Sequence, residues 1–373
     1  MGLRVLITNV TLMTRSGTEL YTRDLALELA RQGHEPAVLT SATGAIADEL
    51  RQAGIPVTTS LRSLPFKPDV IHGHHGETLT AVLSFPTVPA IFVCHSHTSW
   101  HEDPPIHPRI RRYLGVSEIC VARLRESGIP EERIQLSLNF VDTARFAPRS
   151  PLPQNPRKAL VFSNYANSRT HLPVIAEACR EAGLVLDVVG QGVGNSVARP
   201  EDLLAEYDII FAKAKAAMEA IAVGAMVVLC DFSGVGPMVT SAEFDRLRQQ
   251  NFGFAALRDP LEPGYVTRQI ARYDPVEAAR VQGLLRASAG LDGAVSRLVD
   301  MYQQVIDEQA ATTMPIDRFE SQRYYPFRLK HTLRRTSADL WQRLPKRYRD
   351  AAKSSPVLGG AKRVCKRLIF GLR

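Results

Sequence analysis

The chain opens on a short apolar run, "RVLITN", and after a polar loop reads "GTELYTRDLALELARQGHE". In that second stretch Tyr21, Leu25 and Leu29 fall at i, i+4 and i+8 with Ala26 and Ala30 beside them, which gives one apolar face of a helix. Gly33 ends the helix, and "PAVLT" predicts a second strand. The unit repeats: "AIADELRQAG" as helix, "IPVTTS" as strand, then "PDVIHGH" and "AIFVCHS" as further buried strands. Strands alternating with helices predict a parallel sheet covered on both faces.

A Pro-rich break, "FAPRSPLPQNPRK" from Phe146 to Lys158, interrupts the pattern, and the alternation then restarts. Strand "KALVFSN", helix "HLPVIAEACREAG", strand "LVLDVVG", helix "EDLLAEY", strand "DIIFAK", helix "AAMEAIAVG" and strand "VVLCD" follow in order. From about Asp274 to Gln309 the pattern is mostly helical. The expected architecture is therefore α/β, with two Rossmann-like doubly wound domains at 1–150 and 151–310 and a tail at 311–373. Ligands of such sheets bind beyond the C-terminal strand ends, so two domains in tandem place two binding edges across a cleft.

Composition adds a partner class. Of 373 residues 45% are hydrophobic and 23% charged, which is ordinary for a globular chain. The net charge of +8 is concentrated at one end: Ile316 to Arg373 holds 16 Lys and Arg against 4 Asp and Glu, leaving 30 against 34 elsewhere. Within that tail "RVCKRLIFGLR" sets Val364, Leu368 and Leu372 on one helical stripe amid Lys362, Arg363, Lys366 and Arg367, and "LKHTLRRTSADLWQRL" is similar in character. Basic amphipathic helices lie on anionic membranes, each cation contributing about 1 kcal/mol, so a peripheral position at the inner face of the cell membrane is expected. A solvated tail is the plainer alternative, and no nucleic-acid-binding module accompanies the charge. Five scattered cysteines without a CxxC pair, and an N-terminus without a signal-like apolar segment, fit a cytoplasmic protein.

Several residues carry candidate chemistry. In "RSGTE" Gly17 stands at the mouth of the first helix, where bare backbone N–H groups meet an anion. Ser16 and Glu19 have capping-box spacing, and Glu19 otherwise reads as a contact to a sugar or acceptor. Seven of the ten histidines fall between His72 and His107. With no HExxH-like motif among them no metal is expected; His72 and His95 read instead as donors to a polar ligand at strand ends, or as structural core histidines. Lys213 and Lys215 close the "DIIFAK" strand on the cleft edge. Glu219 is the lone acid in "AKAKAAMEAIAVG". Gly234 belongs to "DFSGVGP", read as a strand-end loop ahead of a helix opened by Pro237.

The segment "YLGVSEICVARLRESGIPEERIQLSLNFVDTARFAP" closely resembles the end of the first domain in glycosyltransferase family 4, whose fold is GT-B; Phe140 stands where that family has glycine. The resemblance extends over roughly residues 3 to 305, through "GTELYTRDLALELARQGHEPAVLT", "PDVIHGH", "VCHSH" and "EAIAVG". It implies transfer of a sugar from a nucleotide-sugar to a glycan or lipid-linked acceptor, with retention, without metal or cofactor, in cell-surface polysaccharide or glycolipid synthesis. It places His95 beside the donor sugar, with His97 as the alternative, and Glu219 on the nucleotide ribose. Arg169 replaces a diphosphate-binding lysine, Asn164 stands where its arginine partner would be, and Lys213 or Lys215 supplies the missing charge. Gly234 falls in a loop bordering the donor. The chain departs from the family's two-glutamate motif, since Phe211 stands eight residues before Glu219. A GT-B pseudoenzyme that binds nucleotide or glycan without turnover, and a nucleotide-sugar epimerase, are the alternatives.

Overall fold

Apolar runs too short for helices become strands, and the amphipathic stretches between them pack on both faces. The computed structural model describes residues 2–312 together with Tyr324 and Phe327. The first half comprises β1 (Arg4–Asn9), α1 (Gly17–Arg31), β2 (Glu35–Thr40), α2 (Ala45–Gln52), β3 (Val57–Thr58), β4 (Val70–Gly73), α3 (Glu77–Ser84), β5 (Ala90–Cys94), β6 (Ile110–Gly115), α4 (Glu118–Glu126) and β7 (Ile134–Leu136). The second comprises β8 (Lys158–Phe162), α5 (Leu172–Glu181), β9 (Val185–Val189), α6 (Pro200–Leu204), β10 (Ile209–Ala212), α7 (Ala214–Val223), β11 (Met226–Asp231) and β12 (Gly234–Met238). Helices α8 (Phe244–Gln249), α9 (Pro263–Ile270), α10 (Pro275–Ser288) and α11 (Leu291–Ala310) complete it.

The first sheet is wholly parallel, in the order β3-β2-β1-β4-β5-β6-β7. The second runs β12-β11-β10-β8-β9, parallel except for β12. Strand order reverses between β1 and β4 in one sheet and between β8 and β10 in the other. Those switch points open the crevices where an α/β sheet takes its ligand.

Pro237 does not open a helix. It lies in β12, antiparallel to β11 and at the sheet edge, where a residue without an N–H breaks no ladder. The tight turn after Asp231 needs Gly234 at φ +155°, and a Cβ there would come within 2.8 Å of the Asp259 carbonyl oxygen.

The last helix, α11, sends Leu291, Val295, Leu298, Tyr302 and Val305 into the core of the first sheet, although it follows the second in sequence. The return crossing is fixed where Val141 N–H donates to the Ala289 carbonyl and Leu291 N–H to the Val141 carbonyl, at 2.9 and 3.0 Å. Arg286 clasps the outgoing connection there, donating to the Phe146 and Thr143 carbonyls at 2.8 Å each. No helix among the described residues is long and apolar enough to cross a membrane. Both basic amphipathic stretches of the tail, "LKHTLRRTSADLWQRL" and "RVCKRLIFGLR", lie outside the described residues.

Candidate active site

A cleft of about 860 Å³ lies between the two sheets, at the C-terminal ends of their strands. Its walls are the β1–α1 loop and His95 on one side, and on the other the loops after β8, β9 and β10 with the start of α7. Arg15, Arg23, Arg145, Lys213 and Lys215 line it, against Glu102 and Glu219. Its lining cations therefore outnumber its carboxylates.

Each of those cations is held by a carboxylate outside the lining. Arg15 pairs with Glu49, and Arg145 donates to Glu201 at 2.8 Å. Lys215 Nζ donates to Asp24 Oδ2 at 2.7 Å, linking α7 in the second half to α1 in the first. Asp24 also accepts from Arg23 Nε at 2.9 Å. Burial pushes the Asp24 carboxyl up, but Lys215 and Arg23 outweigh it and hold the group below the usual range.

The connection from β10 to α7 is the single residue Lys213. Phe211 therefore sits inside β10, paired with Val228 and 1% exposed in the second-sheet core, so the chain has no carboxylate there to aim at the cleft. Lys213 Nζ lies 2.8 Å from Asp231 Oδ2, 3.8 Å from the Phe254 ring centroid and 5.2 Å from that of Tyr165. Burial draws its ammonium down to about 8, leaving Asp231 and the ring faces to favour the charged form. At the mouth of α7 the Lys215 and Ala216 N–H groups meet no acceptor among the described residues. A helix N-terminus so disposed favours an anion.

Glu219 projects from the same helix into the cleft, its side chain 5% exposed. No hydrogen-bond donor among the described residues reaches its carboxylate, and Lys215 Nζ stands 3.7 Å away. Burial is the main cause holding its carboxyl above the usual range. A buried acid left without donors is costly. A ligand offering hydroxyl donors would supply what the protein does not.

His95 lines the cleft immediately after β5. Its Nε2 lies 3.0 Å from His74 Nδ1, and its ring meets Tyr21 edge-on at 4.7 Å. The other nitrogen of His74 is buried without a partner, and a bare lone pair is tolerated there more readily than a bare N–H. That assignment puts the His74 proton on Nδ1, donating to His95 Nε2, so His95 carries its own proton on Nδ1. Burial lowers His95 to about 4, so it offers the cleft a neutral N–H donor. Its backbone N–H donates to Glu102 Oε2 at 2.9 Å. Burial opposes charge on His75, but Glu102, 3.3 Å from its Nε2, outweighs that and raises it.

The residues anticipated from sequence divide accordingly. Gly17, His95, His97, Lys213, Lys215 and Glu219 all line the cleft, and a Cβ at Gly17 would meet nothing within 4 Å, so ligand has room there. Glu19 is buried and spent as a capping box, accepting from the backbone N–H groups of Met13, Thr14 and Ser16 and from the Thr14 hydroxyl. His72 lies within β4, its Nδ1 2.6 Å from the Tyr302 hydroxyl on α11. Arg169 is exposed outside the cleft lining, and Gly234 serves the β11–β12 turn. Asn164 spans the cleft: its Nδ2 donates to the Arg15 carbonyl at 3.3 Å and its Oδ1 accepts from Gln191 N–H at 3.2 Å. No group of acids, histidines and cysteines among the described residues is placed to hold a metal.

Sequence reasoning missed Arg23, Asp24, Glu102, Arg145 and the His74–His95 contact. The adjacent charges of Arg23 and Asp24 beside Leu25 on the apolar side of α1 were a readable signal, because charges are seldom buried unpaired. Phe140 packs on Tyr21 with ring centroids 4.6 Å apart and closes the cleft floor beneath Lys215.

The model of Glycosyltransferase Family 4 matches residues 15–145, from the mouth of α1 to the crossover. Among solved structures, a glycosyltransferase from Rickettsia africae ESF-5 superposes with a TM-score of 0.59 at 15% identity, over 82% of this chain and 99% of that one. Anabaena HepE in complex with UDP and glucose gives 0.60 at 14%, over 81% and 99%. The fold is that of a family 4-like GT-B glycosyltransferase. Sucrose-phosphate synthase from Thermosynechococcus elongatus shares this GT-B fold with a TM-score of 0.55 at 12% identity, over 82% and 100%. No curated protein matches the sequence.

Proposed function

We propose that this chain is a glycosyltransferase that moves a hexosyl group from a nucleotide-sugar to a glycan or lipid-linked acceptor, with retention and without metal or cofactor. The observation that carries this reading is Glu219: a buried carboxylate without donors, facing a basic cleft beside the open N-terminus of α7. Ribose hydroxyls donate to that carboxylate. The diphosphate lies against the Lys215 and Ala216 N–H groups with Gly17, Lys213 and Lys215 around it. These groups stabilise charge on the leaving phosphate as the glycosidic bond breaks. His95 Nδ1–H orients the donor sugar. A place in polysaccharide or glycolipid synthesis, at the cytoplasmic face of a membrane reached through the basic tail, completes the reading. HepE has been captured with UDP-glucose, which makes UDP the first nucleotide to try.

Calorimetry with UDP, GDP and ADP is the direct test, and one of them is expected to bind the wild type more tightly than Glu219→Ala; equal affinities would sink the proposal. A pH dependence follows as well. Lys213 binds anions in its protonated form, so UDP affinity is expected to fall as pH rises through about 8. In Lys213→Ala that step is expected to vanish.

A second reading, a pseudoenzyme that binds nucleotide without transfer, is favoured by Phe211 in the strand core and Arg169 outside the cleft lining. Nucleotide release from a panel of nucleotide-sugars separates the two. Binding without release, with acceptor extracts present, selects the pseudoenzyme.

A further inference from the structure

Three non-glycine residues with left-handed backbones meet at the mouth of α7: Ala214 at φ 52°, Asn251 at 55° and Phe252 at 49°. His75 is the one other such residue among the described residues. Side chains other than glycine seldom adopt this region, and where the structure forces several into it together the place is commonly a ligand site. Part of the arrangement serves the fold. Asn251 ends α8, its N–H donating to the Arg248 carbonyl at 2.9 Å while the Phe252 N–H donates to the Leu247 carbonyl at 2.8 Å. The Phe252 carbonyl accepts from the Ala214 N–H at 2.8 Å, which ties the turn to the first residue of α7.

Helix termination accounts for the Asn251 backbone but not for its side chain. Glycine takes the left-handed position after a helix at least cost. Asn251 instead carries an amide that is 5% exposed and lines the cleft. Its Oδ1 is shut away from solvent without a donor, and its Nδ2 is the accessible end and meets no acceptor among the described residues. The reverse orientation would bury a bare NH2 group, which is tolerated less readily than a bare carbonyl oxygen. The amide therefore offers N–H donors to the cleft.

Its neighbours at this end of α7 are donors too. The Lys215 and Ala216 N–H groups are open, and the Lys213 ammonium lies 3.8 Å from the centroid of Phe254, three residues after Asn251. Asn164 is engaged with Arg15 and Gln191, and Arg169 lies outside the cleft lining, so neither adds a donor here. An oxygen bearing negative charge would satisfy the group together. Glu219 stands more than a turn further along α7, which sets Asn251 at the end of the ligand remote from the ribose. We propose that Asn251 Nδ2 donates to the terminal phosphate of a nucleoside diphosphate, held against the mouth of α7 by the left-handed turn at Asn251 and Phe252. The nucleoside rests on the sugar-transfer reading; the anion rests on the donors alone.

Two full-length variants test it. Asn251→Gly keeps the left-handed cap and removes the amide, and Asn251→Asp keeps the shape but replaces a donor with a charged acceptor. Both are titrated by calorimetry beside wild type and Glu219→Ala with UDP, GDP and ADP, the corresponding monophosphates and inorganic pyrophosphate, and melted without ligand. For the bound diphosphate and for pyrophosphate, Asn251→Gly is expected to weaken affinity about fivefold and Asn251→Asp at least about tenfold. Monophosphate affinity in Asn251→Gly is expected to stay at the wild-type level. Asn251→Gly should also melt at or above the wild-type temperature, since glycine adopts φ 55° without strain. Unchanged diphosphate affinity in Asn251→Gly, or equal losses for diphosphate and monophosphate, would overturn the proposal. If Glu219→Ala weakens diphosphate binding and Asn251→Gly does not, the nucleotide reading stands and only this inference fails. Pyrophosphate binding weakened by Asn251→Gly, with no nucleotide bound by wild type, keeps the anion site and defeats the nucleotide reading. Binding of none of these ligands by wild type overturns both.

Discussion

Glu219→Ala is expected to bind UDP about 10- to 100-fold more weakly while unfolding at a higher temperature than the wild type. The two effects have one cause. In the unliganded chain the carboxylate is buried, meets no donor among the described residues, and is held above its usual pKa chiefly by burial. Removing it relieves a desolvation cost of about 1–3 kcal/mol. In the liganded chain two ribose hydroxyls would donate to it, and charge-assisted hydrogen bonds contribute about 1.5–3 kcal/mol. Glu219→Gln keeps the shape and one acceptor, so it should fall between. Calorimetric affinity and thermal melting on the same samples check this. A variant that loses stability and keeps UDP affinity would show that Glu219 serves the fold and not the nucleotide.

Asp24→Ala is expected to be the most destabilising single change near the cleft, by about 3–5 kcal/mol, because it leaves the largely buried Lys215 and Arg23 without their shared carboxylate. Glu49, 3.4 Å from Arg23 Nη1, offsets only part of that loss. The contact also joins α1 to α7 across the cleft, so its loss should weaken UDP binding through the position of Lys215 as well. Asp24→Leu combined with Lys215→Met should recover the part of the loss that arises at Lys215 and not the part at buried Arg23, since an apolar pair of similar volume often replaces a buried ion pair at little cost while Arg23 keeps only Glu49. It should not recover nucleotide affinity, which needs the ammonium. Urea unfolding of the single and double variants, analysed as a cycle, isolates the pair.

Much of the site was legible before folding because its residues fall at strand ends. The runs "AIFVCHS" and "DIIFAK" each end where apolar residues give way to polar ones, and His95 and Lys213 stand just past those points. In an α/β sheet such positions face the binding crevice. Glu219 was legible for a different reason, as an acid in a helix otherwise buried on that face. What could not be read was which polar groups the protein itself satisfies. Glu19 announces its capping box with Ser16 by spacing and accepts four hydrogen bonds from the loop before it, whereas nothing in the sequence shows that Glu219 accepts none. His72 and His95 both follow apolar runs, but His72 meets Tyr302 from a helix 230 residues away.

Pro237 shows the same limit. A proline after a strand opens a helix or sits in an edge strand with equal local comfort, and only the edge position of β12 decided it. The periodicity of the chain thus determined two Rossmann-like sheets and the residues placed near their strand ends, because burial of an apolar face is a local property of pattern. Tertiary structure alone decided the strand orders and their switch points, that α11 returns to the first sheet, that Lys215 meets Asp24, and that His74 orients His95. Those outcomes depend on contacts between distant segments, and whether a polar group is left for a ligand depends on who else has reached it first.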